Sequence, residues 1–129
     1  MNKFFKILFF VVLVLKTSIS FSDDTKIKIG VLAPLSGENE DLGQEIIKSL
    51  RMALIDIDDD KIEIYPKDTA SDPNITLRSA LELEKMGINL VIGPIFHENL
   101  IFLKEVKNIT FLSLTNKTLG LSENIISAG

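Results

Sequence analysis

The stretch Ile27-Lys28-Ile29-Gly30-Val31-Leu32-Ala33-Pro34-Leu35-Ser36-Gly37 decides the fold. It begins as an alternation of apolar and polar residues and becomes a continuous apolar run, which the Pro and Gly then stop. A continuous apolar run of this length is typical of a strand that is buried on both faces, as in a parallel sheet. We therefore predict a first, buried, parallel strand over residues 27–33.

A helical pattern follows this strand. Apolar residues recur at three- and four-residue spacing and predict one packed face of a helix; they are Leu42, Ile46, Leu50, Ala53 and Ile57. Three consecutive Asp residues, 58–60, predict a solvated turn at its end. Asp56, Asp58 and Asp60 alternate as at the start of a calcium loop, but the central Gly and the final Glu of such a loop are missing.

Further strands and helices alternate along the rest of the chain. Asp72 and Pro73 predict a helix start, with Asp as N-cap and Pro at the first helical position. That helix carries Leu77, Ala80, Leu81 and Leu83, and Gly87 is a good residue to end it. The predicted strands cover 62–65, 90–92 and 109–114; residues 98–106 have a weaker helical pattern, and 122–129 resemble the start of another strand.

This alternation, at the spacing of about 30 residues that βαβ units have, predicts an α/β fold with a doubly wound parallel sheet. The crossovers are expected to be right-handed, with helices on both faces of the sheet. Ligands of such sheets bind beyond the carboxyl ends of the strands. The candidate site therefore lies among the segments that follow the strands, at 34–37, 68–71, 94–97 and 113–117.

Composition excludes several classes of function. The 129 residues contain no Cys and one His, which excludes a disulfide scaffold, a thiolate or multi-histidine metal centre and a lipid-modified Cys anchor. Lys and Arg total 14 against 18 Asp and Glu, and this acidic balance argues against a nucleic-acid partner. The loop after the first strand lacks the Gly spacing of nucleotide-binding loops, and Ser36 lacks the glycine pattern of a nucleophile elbow. We predict no enzyme, no cofactor and no metal.

The first 22 residues have the layout of a secretory signal. Residues 1–6 are basic, Ile7–Leu15 is an unbroken apolar run, and small residues follow before Asp23. A membrane anchor is the alternative, but a spanning helix needs about 20 apolar residues, and this run is far shorter. We predict that residues 1–22 are a cleaved signal peptide. The mature protein would then be exported and soluble, without a membrane span.

Four short motifs carry a family resemblance. They are Ile29–Gly37 with Leu42-Gly43-Gln44, Lys67–Pro73, Leu90–Pro94 and Phe111–Asn116. In this order they resemble the type I periplasmic binding proteins of the leucine/isoleucine/valine-binding branch. The resemblance implies a non-enzymatic periplasmic protein that closes two lobes on a small polar solute and delivers it to the inner-membrane permease of an ABC transporter. Residues 23–129 would be a partial N-terminal lobe, and we expect a second lobe beyond this length.

A second likeness lies within the same fold. Pro66-Lys67-Asp68-Thr69 and Gly93-Pro94-Ile95-Phe96 resemble the penicillin-binding protein activators. This likeness implies a regulator of peptidoglycan synthesis in the cell envelope, with a peptidoglycan synthase as partner. Because the chain has no Cys, it would be a soluble periplasmic protein and not a lipoprotein.

By position, the resemblance implies six candidate ligand-binding residues: Ser36, Phe96, His97, Ser113, Thr115 and Lys117. His97 falls where amino-acid binders of the family have a ligand-binding Ser, and Lys117 falls where they have a Thr. Lys117 could pair with a carboxylate or be an ordinary surface lysine, and a single His at a strand end is more often a rim residue than a catalyst. The family disulfide falls on Ser71 and Phe96 and is absent. These departures favour a different ligand or no small ligand.

Overall fold

A computed structural model describes residue 3, residues 25–117 and residues 120–129 of the chain. The predicted signal peptide, apart from Lys3, lies outside the described residues. The elements are β1 (Ile27–Ala33), α1 (Glu40–Ile57), β2 (Ile62–Asp68), α2 (Pro73–Lys85), β3 (Leu90–Ile92), two 3₁₀ turns (His97–Leu100 and Leu103–Glu105), β4 (Thr110–Ser113) and β5 (Ile125–Ser127). No helix in the described part of the chain has the length and apolar character needed to cross a membrane.

The five strands form one sheet in the order β2-β1-β3-β4-β5, and every neighbouring pair is parallel. The chain therefore moves to one side of β1 to form β2 and to the other side to form β3. The register pairs Ala33 with Asp68, and Ser113 with Ser127, so the strands end along a common edge. This topology confirms the predicted α/β fold with a doubly wound parallel sheet. The reversal of direction beside β1 marks the edge where ligands of such sheets bind.

Helices cover the two faces of β1 separately. Leu32 packs in a buried cluster with Ala80 and Leu83 of α2. Val31 and Ala33 point to the opposite face, where they pack with Ile47 of α1. Successive side chains of a strand point to opposite faces, so the apolar run of β1 supplies both clusters. This is why the run is continuous and not alternating.

The buried face of α1 differs from the predicted one. Gly43 and Ile47 are its buried residues, whereas Leu42, Ala53 and Ile57 are exposed. The cause is a close approach at the first turn: a Cβ added at Gly43 would lie 1.8 Å from the carbonyl oxygen of Pro34. Only glycine permits this contact, and the contact turns the helix so that a neighbouring stripe faces the sheet.

The beginning and the end of α2 confirm the predictions. The carboxylate of Asp72 accepts hydrogen bonds from the backbone N–H groups of Asn74 (2.8 Å) and Ile75 (2.9 Å), and Pro73 is the first helical residue. These bonds satisfy donors that no carbonyl within the helix can reach. Gly87 has a positive φ of 77° just after the helix, the left-handed conformation that commonly ends helices.

The prediction of a helix over residues 98–106 is wrong in type. This segment forms two 3₁₀ turns, and Leu100, Leu103 and Val106 are buried there. Leu100 ends the first turn, Leu103 begins the second and Val106 follows it, and all three pack in the same buried cluster. The bounds of two strands also differ from the predictions. β2 continues to Asp68 because it pairs with the whole of β1, and β4 is shorter by one residue at each end.

Candidate functional site

The carboxyl edge of the sheet carries the segments that the sequence predicted for the site. Ser36 follows β1 and Asp68 ends β2, while Phe96 and His97 follow β3 and Thr115 follows β4. Because the strand order is β2-β1-β3-β4-β5, this edge has two parts. Ser36 lies with Asp68 in one part, and the other candidate residues lie in the part formed by β3 and β4.

Asp68 organises the first part of the edge. Its Oδ1 accepts hydrogen bonds from the backbone N–H groups of Leu35 and Ala70, both at 2.7 Å, and its Oδ2 accepts one from the Ser36 hydroxyl at 2.6 Å. Partial burial acts to raise the pKa of Asp68, but the bonds from Ser36, Ala70 and Leu35 outweigh it and hold the pKa below its usual value. The carboxylate is therefore ionised and holds the loop of Ser36 against the end of β2.

Ser113 and Thr115 shape the loop after β4. The Ser113 hydroxyl is fully buried, donates to the carbonyl oxygen of Pro94 at 3.2 Å and accepts from the backbone N–H of Thr115 at 3.3 Å. Thr115 is 6% exposed, and its Oγ1 accepts from the backbone N–H of Lys117 at 3.3 Å. The Ser113 hydroxyl, closed off from solvent, therefore joins the ends of β3 and β4, and the Thr115 hydroxyl bonds within the loop after β4.

A depression of about 470 Å³ opens between the segments after β3 and β4. Three candidate residues, Phe96, His97 and Thr115, line it together with Asn116. It is open to solvent and mixes aromatic, imidazole, hydroxyl and amide groups. Such a surface can accept and donate hydrogen bonds to a small solute while covering an apolar part of it.

A groove of about 590 Å³ adjoins the depression, and His97 and Glu98 border both. Its apolar residues are Leu100, Ile101, Leu121 and Ile125, and its basic ones are His97, Lys104 and Lys117. Nδ1 of His97 lies 3.2 Å from Oε1 of Glu98. No carboxylate of residues 25–117 or 120–129 lies within 4.0 Å of the Lys117 ammonium. The groove therefore presents a cation beside apolar surface.

A larger depression, of about 980 Å³, lies at the opposite edge of the sheet. Asn89, Asn108 and Asn124 line it, and they precede β3, β4 and β5. Ligands of parallel α/β sheets bind at the carboxyl ends of strands and not at the amino ends. Position in the fold therefore outweighs volume, and we place the candidate site at the carboxyl edge.

The structure brings four of the six candidate residues together: Phe96, His97, Thr115 and Lys117 line the two adjoining depressions. Ser36 and Ser113 line neither. The sequence reasoning did not name Asp68 as a site residue. Asp68 lies in the candidate segment 68–71 at the predicted binding edge, but it is not among the six residues that the family resemblance implies. Within the described chain, no cluster of three or more His, Asp or Glu side chains is arranged to hold a metal ion.

Comparison with known proteins agrees with this geometry. A family model described as periplasmic binding protein matches residues 26–117. No curated protein matches the sequence significantly. Among solved structures, a solute-binding protein of an ABC transporter from R. palustris, in complex with 4-hydroxybenzoate, is 20% identical with a TM-score of 0.69. The match covers 78% of this chain and 31% of that one.

Two further structures are similar. The leucine-binding protein LivK from Thermotoga maritima has a TM-score of 0.62 and 17% identity over 69% of this chain and 27% of that one. The C-domain of LpoA from Haemophilus influenzae, a regulator of PBP1A, has a TM-score of 0.61 and 23% identity over 76% of this chain and 31% of that one. The chain thus spans less than a third of the length of each of these structures. The family match covers most of the chain, and the strand order and site edge agree with it. The chain therefore belongs to the periplasmic binding protein family.

Proposed function

We propose that this protein is the solute-binding component of an ABC transporter and that it binds a small organic carboxylate in the periplasm. The observation that carries the proposal is the depression at the carboxyl edge lined by Phe96, His97 and Thr115, which adjoins a groove with Lys117. The protein binds and releases its solute without chemical change. In this proposal a second lobe supplies the rest of the burying surface, and a membrane permease receives the solute.

The carboxylate class follows from charge and apolarity together. The Lys117 ammonium has no acidic partner among the described residues, and a carboxylate would supply one. Ile101, which is exposed, and Leu121, which is half-buried, offer apolar surface to the body of the solute. Three similar structures are complexes with 4-hydroxybenzoate, 3,4-dihydroxybenzoic acid and benzoate, and another is a leucine-binding protein. All of these molecules combine a carboxylate with an apolar body.

The test is a titration of the isotope-labelled protein with leucine, benzoate and 4-hydroxybenzoate, followed by nuclear magnetic resonance. We expect one of these carboxylates to move the amide signals of His97, Thr115 and Lys117. Lys117→Ala should weaken that binding about tenfold, because it removes a charge-assisted hydrogen bond. Lys107→Ala is the matched control, since Lys107 is an exposed lysine at the opposite edge. Equal effects of the two substitutions, or unchanged signals with all three carboxylates, would contradict the proposal.

Regulation of a peptidoglycan synthase is the second candidate function. The observation in its favour is that the hydroxyl groups of Ser36 and Ser113 are already bonded within the protein. This leaves fewer polar groups for a small solute. The similarity to LpoA supports the same reading. Specific capture of a purified peptidoglycan synthase, together with no response to the three carboxylates, would favour this function over transport.

A further inference from the structure

Asp68 connects three separate parts of the fold. Its carboxylate receives three hydrogen bonds, from Leu35, Ser36 and Ala70, at 2.6–2.7 Å. Its backbone carbonyl oxygen accepts a fourth, from the Ser79 hydroxyl of α2, at 2.7 Å. The loop after β1, the turn after β2 and helix α2 therefore meet at one residue. Leu35 and Ser36 lie 33 and 32 positions away in the sequence.

The turn that Asp68 holds is strained. Ala70 and Ser71 are consecutive non-glycine residues with positive φ values of 45° and 55°. The left-handed conformation brings a Cβ too close to the following carbonyl oxygen, so it persists only where surrounding bonds enforce it. Here the bond from the Ala70 N–H to Asp68 is the shortest of those at the turn. Ser71 is held more weakly, by Thr69 at 3.3 Å and Asn39 at 3.1 Å.

We propose that Asp68 is a positioning residue beside the solute site. Neither Asp68 nor Ser36 lines the two depressions, but the turn that Asp68 holds leads into Pro73, which lines the groove. The Asp68 carboxylate holds the loop Pro34–Gly37 and the strained turn Thr69–Ser71 together as one rigid rim at the β1–β2 part of the carboxyl edge. The role in binding rests on the function proposed above. The hold on the rim is a property of the chain itself and can be measured without a solute.

Asp68→Asn is the first test, read by amide hydrogen exchange. The amide side chain keeps the shape of Asp68, but its nitrogen cannot accept the bond from Ser36, and its oxygen carries no charge. We expect exchange at the Leu35 and Ala70 amides to become at least tenfold faster, while the core amides of Val31 and Leu83 keep their rates. Ser36→Ala removes only one of the three bonds and should give a smaller increase at Leu35.

Ala70→Gly separates positioning from a general loss of stability. Glycine adopts a positive φ without a Cβ clash, so it should keep the turn formed without the carboxylate. In the Asp68→Asn background it should restore most of the protection lost at the Asp72 amide, which donates to the Thr69 carbonyl oxygen at 2.8 Å, but not at Leu35, whose acceptor is the carboxylate of residue 68. Glu82→Gln is the control. Glu82 accepts a hydrogen bond at 2.8 Å from Lys67, the β2 residue before Asp68, but it does not contact the rim.

Three results would overturn the inference: unchanged exchange in Asp68→Asn, acceleration that is equal at all amides, or no recovery with Ala70→Gly. The solute titration is then repeated on the same variants. If the inference holds, Asp68→Asn weakens binding of the carboxylate identified above, and Ala70→Gly restores it. The variants could show the expected changes in amide exchange while the unsubstituted protein binds none of the carboxylates. That result would contradict the proposed function but would still show that Asp68 holds the rim.

Discussion

Some polar side chains at the carboxyl edge donate hydrogen bonds within the protein, and others do not. Ser36 donates to Asp68 and Ser113 to Pro94, so both serve the loops that carry them. His97 and Lys117 are exposed, and no other element of the described chain holds their side chains. A hydrogen bond to a new partner stabilises most when the group has no existing bond to exchange. Lys117 therefore has the side chain most open to a ligand, whereas Nδ1 of His97 already lies 3.2 Å from Oε1 of Glu98.

Acid should remove the contribution of Asp68 to stability. The hydrogen bonds to Asp68 lower its pKa in the folded state below the ordinary value of 3.8, so its contribution is complete above that value. It is lost as the pH falls through the folded-state pKa. We expect Asp68→Asn to unfold at a lower urea concentration than the unsubstituted protein at pH 7, and the difference to shrink below about pH 4.

The control for this prediction is Glu82→Gln. Its hydrogen bond and ion pair with Lys67 also lower the pKa of Glu82, but Glu82 is exposed to solvent and Lys67 is only half-buried. Exposed ion pairs contribute little, so this variant should unfold close to the unsubstituted protein at both pH values. An Asp68→Asn difference that is the same at pH 3 and pH 7 would mean that ionisation of Asp68 is not what stabilises the fold.

Among the elements, α2 depends most clearly on its first residues. Asp72 caps two backbone donors, and Pro73 sets the first helical conformation. Asp72→Ala should lower the free energy of unfolding by about 1 kcal/mol, whereas Asp72→Asn should lower it much less, because Asn is an equally good cap. Urea unfolding of the two variants measures this difference. Equal losses would show that the charge of Asp72, and not its cap, stabilises the helix.

The packing of α1 illustrates the opposite case. Apolar residues occur on several faces of this helix, and Met52, Ile55 and Ile57 remain largely exposed. Its sequence is therefore compatible with more than one buried stripe. The contact of Gly43 with the Pro34 carbonyl selects the stripe that contains Ile47. That contact joins two segments on either side of a turn, and residue periodicity alone does not encode it.

At the scale of the whole molecule, the two faces of the sheet are covered unequally. Phe111 and Ile125 are buried under α2 and the 3₁₀ turns. On the other face, Leu90 and Ile126 are exposed among the described residues. Strands of parallel sheets are usually buried on both faces. Because one face is exposed here, we expect truncation of a side chain on the covered face to cost more stability than truncation on the exposed face.

Adjacent isoleucines of β5 provide a matched test of that asymmetry. Ile125 is 8% exposed and Ile126 is 53% exposed. Ile125→Ala should lower the free energy of unfolding by about 2–3 kcal/mol, because it leaves a cavity in the core. Ile126→Ala should cost less than about 1 kcal/mol, mainly through the lower strand propensity of Ala. Chemical denaturation measures both, and equal losses would mean that the second face is covered as well as the first.

By itself, the sequence determined the class of fold, the first strand and the start and end of α2, and it indicated the edge where the candidate site lies. These features depend on apolar runs, caps and turn residues that act within a few positions of each other. The tertiary structure alone decided the buried face of α1, the 3₁₀ turns and the network around Asp68. It also decided which candidate side chains share a depression. Asp68 meets Leu35 and Ser36 across more than 30 residues. Such hydrogen bonds form only when distant segments pack together, so no short-range spacing of residues predicts them.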